Sequence, residues 1–178
     1  MTGYGPQECW DSNIFSFFFA IDKEISAFKL LGNSVIISMD ANSKLGPEII
    51  PGDPYRQSPN GNILAGIVNR HALCVVNGMK EKRKGLITRQ RNTETGNEKS
   101  IIDFVIVSND LMEHIDEIHV DDERTHVLTK NTKTKNGIVY SESDHNVINT
   151  KIRLKWYPQE SKAVEVFKYS DKKALKMF

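Results

Sequence analysis

The most constraining stretch is Asn33-Ser34-Val35-Ile36-Ile37-Ser38-Met39-Asp40-Ala41-Asn42, an apolar run that ends abruptly on an acid, with an amide two positions later. Val and Ile in continuous sequence, bounded by Gly32-Asn33 before and Ser43-Lys44-Leu45-Gly46 after, predict a strand buried on both faces. Asp40 then falls at the strand end, where the core stops and a cleft can begin. If the extended conformation persists, Asp40 and Asn42 point to the same side and offer one ligand an acceptor and a donor. Alternatively, Asp40 opens a turn and Asn42 completes it, because Asx side chains readily bond their own backbone.

The chain has 178 residues and a formal charge of +1, enough for one domain or for a piece of a larger one, with no global pull toward polyanions. Local charge is another matter. Between Met79 and Arg91 the chain carries Lys80, Lys82, Arg83, Lys84, Arg89 and Arg91 against Glu81 alone. Such a segment is either a solvated hairpin or a phosphate-backbone contact. Cys9 and Cys74 lack any CxxC spacing, which is the usage of free or buried thiols in a reducing compartment. No run approaches the roughly eighteen apolar residues of a membrane span, so the expectation is a soluble, intracellular protein with no membrane partner.

Element order favours a layered α/β fold. Asp11-Ser12 is a helix N-cap, and Ile14, Phe15, Phe17, Phe18, Phe19, Ile21, Ile25, Phe28 and Leu31 follow with mostly helical spacing to Gly32; the phenylalanines read as core packing. Prolines 47, 51, 54 and 59 make residues 43–60 a long loop, functional or disordered. A short amphipathic helix follows to His71, then a buried strand Leu73–Val76. Gly85–Thr88 starts a strand, Thr93–Asn97 turns, and Ser100–Val107 is the strongest strand of all, with Asp103 inside it. An ionised carboxylate there requires a partner. Asn109 caps a short helix to Ile115, and Ile118–Val120 is a strand. Residues 121–135 read as a solvated loop, Gly137–Tyr140 leads to a second acidic strand end at Ser143-Asp144-His145, and 147–154 alternates like a half-buried strand. Residues 1–157 therefore form the folded part and 158–178 a basic linker or tail, with Val164, Val166, Phe167 and Leu175 as its few apolar anchors.

Asp40, Asp103 and Asp144 all lie in or beside apolar strands, and His145 follows the last. A buried acid and a histidine at a strand mouth offer each other a partner, the acid fixing the tautomer and supporting the imidazolium. Aspartates suit a hard divalent cation, and with an amide and a protonated histidine they are the parts that phosphodiester hydrolysis needs.

Tyr4-Gly5-Pro6-Gln7-Glu8, Met39-Asp40-Ala41-Asn42, Ser100-Ile101-Ile102-Asp103-Phe104 and Ser143-Asp144-His145 occur in an order and spacing that resembles the endonuclease/exonuclease/phosphatase superfamily. That group includes DNase I-like nucleases, abasic-site enzymes, sphingomyelinases and inositol-polyphosphate 5-phosphatases. The YGPQE form, the basic hairpin and the tail from Val164 to Asp171 most resemble the endonuclease domain of non-LTR retrotransposons. The resemblance implies a DNase I-like four-layer α/β sandwich, of which this chain supplies roughly the second half. It implies that Tyr4 bonds the scissile phosphate, that Asp40 orients or deprotonates water, and that Asn42 contacts phosphate or nucleophile. It further implies that Asp103 supports His145 and that Asp144 binds Mg2+ or Mn2+, while Ser143 shapes its turn. Lys82, Arg83, Lys84, Arg89 and Arg91 would contact DNA, with nuclear residence by analogy. Two departures stand out. Met39-Asp40-Ala41-Asn42 replaces the usual Gly-Asp-Phe-Asn, and the chain starts at the YGPQE motif, without the preceding metal-binding glutamate. An exposed apolar face, a homo-oligomer or pairing with the missing half would follow. A phosphatase or lipid phosphodiesterase on the same scaffold, or a non-catalytic binding remnant, are the alternatives.

Overall fold

A computed structural model describes residues 2–4, 14–94, 96–134 and 137–154, with the backbone alone at 2–4, 14, 130 and 132–134. The expected Asp11-Ser12 cap, Cys9 and the tail lie outside the described residues. A central sheet has the order β1 (Thr2–Tyr4), β2 (Ile36–Asp40), β7 (Asp103–Ser108), β3 (Leu73–Val75). Its β1–β2 pair is parallel; β2–β7 and β3–β7 are antiparallel. A second sheet is β11 (Ile148–Ile152), β8 (Ile115–Val120), β4 (Arg83–Lys84). Two ribbons complete the set, β5 (Arg89–Thr93) with β6 (Gly96–Ser100) and β9 (Thr129–Thr134) with β10 (Gly137–Glu142).

Strand β7 shows how the layers arise. Its alternate residues Phe104 and Ile106 join a core built with helices α1 (Ile14–Leu30) and α2 (Pro59–Arg70), while Val105 and Val107 join a second core with Ile115 and Ile118 of the other sheet. The period-two alternation of a strand thus places helices on one face of the central sheet and a sheet on the other. Helix α2 starts where Ser58 Oγ accepts from Gly61 N at 3.2 Å and Pro59 occupies the first turn, which needs no proline N–H. Gly61 is required there: a Cβ would lie 1.9 Å from the Lys44 carbonyl oxygen.

Several expectations need correction. Strand β2 is buried on one face only, through Ile37 and Met39; Ser38 is exposed and Ile36 half-buried. The phenylalanines divide by helical phase. Phe18 is fully buried with Ile21 and Ile25, and Phe17 stands edge-on to it, whereas Phe15 and Phe19 are 73% and 68% exposed. Among the described residues the large exposed apolar side chains lie mainly on and just after α1 and on β10. The proline-rich loop is ordered, because Leu45 and Ile50 enter the core and Ser58 bonds Lys44 through both backbone and hydroxyl. The strong apolar run 100–107 is split: β6 ends at Ser100 and Asp103 begins β7. Asn109 lies inside a 3-10 turn (Asn109–His114) preceded by Ser108, and β8 begins earlier than Ile118. Residues 121–135 are no simple solvated loop. Asp121 is buried, accepting from Thr125 and His126, and the chain then forms β9.

Candidate active site

Three chain segments deliver one carboxylate or imidazole each to the same place. Asp40 is the last residue of β2 and Asp103 the first of β7, and the antiparallel register sets them directly opposite. His145 follows the Ser143-Asp144 turn and bridges Arg89 at the start of β5. Its Nδ1 lies 3.0 and 3.1 Å from the two oxygens of Asp103. Its Nε2 is 3.8 Å from Asp40 Oδ2 and 3.9 Å from Asp144 Oδ1. The side-chain partner that an acid at position 103 demands is therefore His145. Tyr4 stands across from Asp40 in the parallel β1–β2 register, so its backbone borders the site.

The turn alternative at Asp40 also holds. Asn42 adopts φ 44° and donates its N–H to Asp40 Oδ1 at 3.0 Å, so the extended strand does not persist to Asn42. Asp40 is thus both the Asx residue of that turn and a wall of the site.

Charge and burial tune the groups in opposite directions. Burial pushes the Asp40 carboxyl up to about 6, with the Asp103 charge adding to the rise and the Asn42 N–H and His145 opposing it. The hydrogen bond that His145 donates to Asp103 raises the imidazole above its ordinary value despite burial, helped by the Asp103, Asp40 and Asp144 charges. Burial would also raise Asp144, but the Arg89 guanidinium, with Nε 2.7 Å from Oδ2, holds it below the usual carboxylate range. The result is a basic carboxylate beside an imidazole that favours its charged form, which is the pairing an acid–base step at near-neutral pH requires.

One atom each from Asp40, Asp103 and His145 lie within 4.8 Å of one another, a spacing that could hold a metal ion. Asp144, the acid expected to bind metal, has one oxygen committed to Arg89 and the other facing His145. The carboxylate oxygens around Asp40, itself desolvated and facing a second acid, fit a hard divalent cation.

The expected nucleic-acid residues do not form one stripe. Lys82 Nζ donates to the Met112 and Ile115 carbonyls, and Arg83 to those of Asn77 and Pro51. Lys84 pairs with Glu117 on the surface. Arg89 stands in the site, and Arg91 is exposed on β5. Cys74 is a half-buried free thiol, raised by burial.

Residues that position the site escaped the sequence reading. Thr88, wholly buried, accepts through Oγ1 from both Ile102 N and Asp103 N at 2.9 and 3.1 Å, holding the break between β6 and β7. Asn77 Oδ1 accepts from Val105 N while its Nδ2 donates to the Asp103 carbonyl. Arg124 donates to the carbonyls of Gln90 and Ser143, tying β5 to the turn that carries His145. Thr88 and Asn77 share a signal, a polar residue ending an apolar run with no surface role to explain it, whereas Arg124 stands in a polar stretch that carries none.

No protein-family profile matches the chain, and no curated protein matches it by sequence. Solved structures do. The endonuclease domain of TRAS1, a telomere-specific non-LTR retrotransposon, superposes with a TM-score of 0.60 at 22% identity, covering 86% of this chain and 56% of that one. A mannosyl-6-phosphatase of Bacteroides thetaiotaomicron superposes at 0.50 and 16% identity, over 85% of this chain and 49% of that one. An endonuclease/exonuclease/phosphatase family protein of the same organism gives 0.48 at 18% identity, over 84% and 48%. The chain spans about half the length of these structures, and no described helix is long and apolar enough to cross a membrane. It therefore has the DNase I-like α/β fold that the motif order implied, matched over most of its own length and roughly half of its structural neighbours'.

Proposed function

We propose that this chain carries the hydrolytic centre of a divalent-metal-dependent phosphodiesterase that nicks DNA. The observation that carries the reading is the meeting of Asp40, Asp103 and His145 from three separate segments. In this reading Asp40 takes the proton of the attacking water, a step its carboxyl at about 6 suits because it is ionised yet basic at neutral pH. His145, held by Asp103 through Nδ1, turns Nε2 toward the phosphate and supports the developing negative charge as imidazolium. Arg89, fixed by Asp144, adds a second positive donor, and Tyr4 and Asn42 complete the phosphate contacts. Asp40 and Asp103, the two acids of the group whose ligand atoms lie within 4.8 Å of one another, would hold the Mg2+ or Mn2+, which when bound would supply charge neutralisation at the phosphate oxygens. DNA as substrate is supported by the likeness to a retrotransposon endonuclease domain and by Arg89 and Arg91 on the β5–β6 ribbon. A phosphomonoesterase is the second reading, favoured by the mannosyl-6-phosphatase neighbour.

Supercoiled plasmid incubated with wild type, Asp144→Ala and His145→Ala, in Mg2+ and in EDTA, tests the proposal. Nicking by wild type in Mg2+ alone, lost in both variants, is the expected result. Equal nicking by all three would mean contamination, turnover of p-nitrophenyl phosphate without nicking would favour the second reading, and no turnover of either substrate would leave a binding remnant.

A further inference from the structure

The β9–β10 ribbon has no place in that chemistry, yet it springs from the turn that carries it. Glu142, the end of β10, is followed directly by Ser143-Asp144-His145. The base of the ribbon is closed by Ser143 N donating to the Leu128 carbonyl at 2.7 Å, and Arg124 bonds the Ser143 carbonyl at 2.6 Å. On the other side of the same turn, Gln90 N donates to the Asp144 carbonyl at 2.8 Å, so β5–β6 is rooted there too. Two ribbons therefore leave one turn.

Every residue of β10 is exposed, with Ile138, Val139 and Tyr140 at 52%, 52% and 70%. A ribbon with only two strands among the described residues is marginal by itself, and apolar side chains displayed on it suggest a surface made to be covered. Charge says by what. From Thr129 to Glu142 the chain carries Lys130, Lys133 and Lys135 against the single acid Glu142, and Lys133 stands opposite Ile138 in the register. Lysines in the same stretch of chain as an exposed ring and exposed aliphatic side chains suit a polymer with a phosphate backbone and stackable bases.

We infer that β9–β10 is a second nucleic-acid arm, engaging the duplex beside the turn that bears His145. This rests on the nuclease reading and adds to it a contact that sets how DNA is gripped. Two-stranded ribbons fit a DNA groove, and rooting both arms on the turn that bears His145 would register the scissile phosphate between them.

The test is fluorescence anisotropy of the full chain with a labelled 30-bp duplex in EDTA, across a salt series. Compared with wild type, Lys130→Ala/Lys133→Ala/Lys135→Ala should flatten the slope of log K against log salt by about 2 to 3, given roughly 0.9 per phosphate neutralised. Tyr140→Ala should bind at least about 5-fold more weakly, and Tyr140→Phe, which keeps the ring, should bind like wild type. Unchanged slope and affinity in both variants, with wild type binding and nicking DNA, would overturn the arm and leave the nuclease reading intact. A wild type that neither binds nor nicks DNA overturns both. If the variants instead lose pelleting with phosphatidylserine vesicles while their DNA binding is unaltered, the ribbon is a membrane contact and the inference is wrong.

Discussion

Asp40→Asn should make the protein more stable at neutral pH while abolishing nicking. The folded state raises the Asp40 carboxyl from 3.8 to about 6, chiefly by burial. A carboxyl whose folded value is raised binds its proton more tightly when folded, so its contribution to stability falls as pH rises from 3.8 toward 6 and stays lost above that. The shift amounts to about 3 kcal/mol at 1.36 kcal/mol per unit. That is a ceiling, since the amide also gives up the attraction to His145 Nε2 at 3.8 Å, though its oxygen can still accept from Asn42 N. We expect a gain of about 1 to 3 kcal/mol at pH 8, shrinking toward zero at pH 4, measured as the difference between urea unfolding curves of variant and wild type. Equal stability at pH 8, or a larger gain at pH 4 than at pH 8, would refute the claim that burial of an ionised Asp40 strains this site.

Other outcomes follow from the same contacts. Asp103→Asn should lower the midpoint of the His145 titration followed by NMR, because the Asp103 hydrogen bond is the largest cause of its rise; in a pH–rate profile of nicking, the alkaline limb should move the same way. Stability from the raised His145 is present below the unfolded histidine value and lost as pH rises through the folded one, so this variant should be destabilised most on the acid side. Thr88→Val keeps the shape but removes the acceptor of two backbone N–H groups in a fully buried place, and should cost about 2 to 4 kcal/mol in a denaturant melt, with Thr88→Ser recovering most of it.

What could be read from the chain and what could not divide along physical lines. The β2 and β7 strands were legible because their Val/Ile runs are local, and Asp103 announced a partner because a charge in an apolar run is costly alone. That the partner is His145 was recoverable once both stood at strand ends. The fate of Lys82 and Arg83 was not, since a cation that caps distant carbonyls and one that faces a ligand look identical in sequence. Phe15 and Phe19 misled for a related reason: helical spacing gives a stripe, but only packing of α1 on α2 and the central sheet decides its width. Of the β9–β10 ribbon, Gly137–Tyr140 was legible as the approach to a strand end, but β9 was missed because Thr129–Thr134 is polar and carries lysine, so alternation gave no signal and only its pairing with 137–142 reveals it.

The central claim is that Asp103 and His145 act as one unit at a phosphodiester. A double-mutant cycle on the plasmid-nicking rate, comparing Asp103→Asn, His145→Ala and the combination, tests it most directly. Groups that act together should give a double variant no slower than His145→Ala alone. Losses that multiply would contradict the account, because the two residues would then contribute independently despite the 3.0 Å contact.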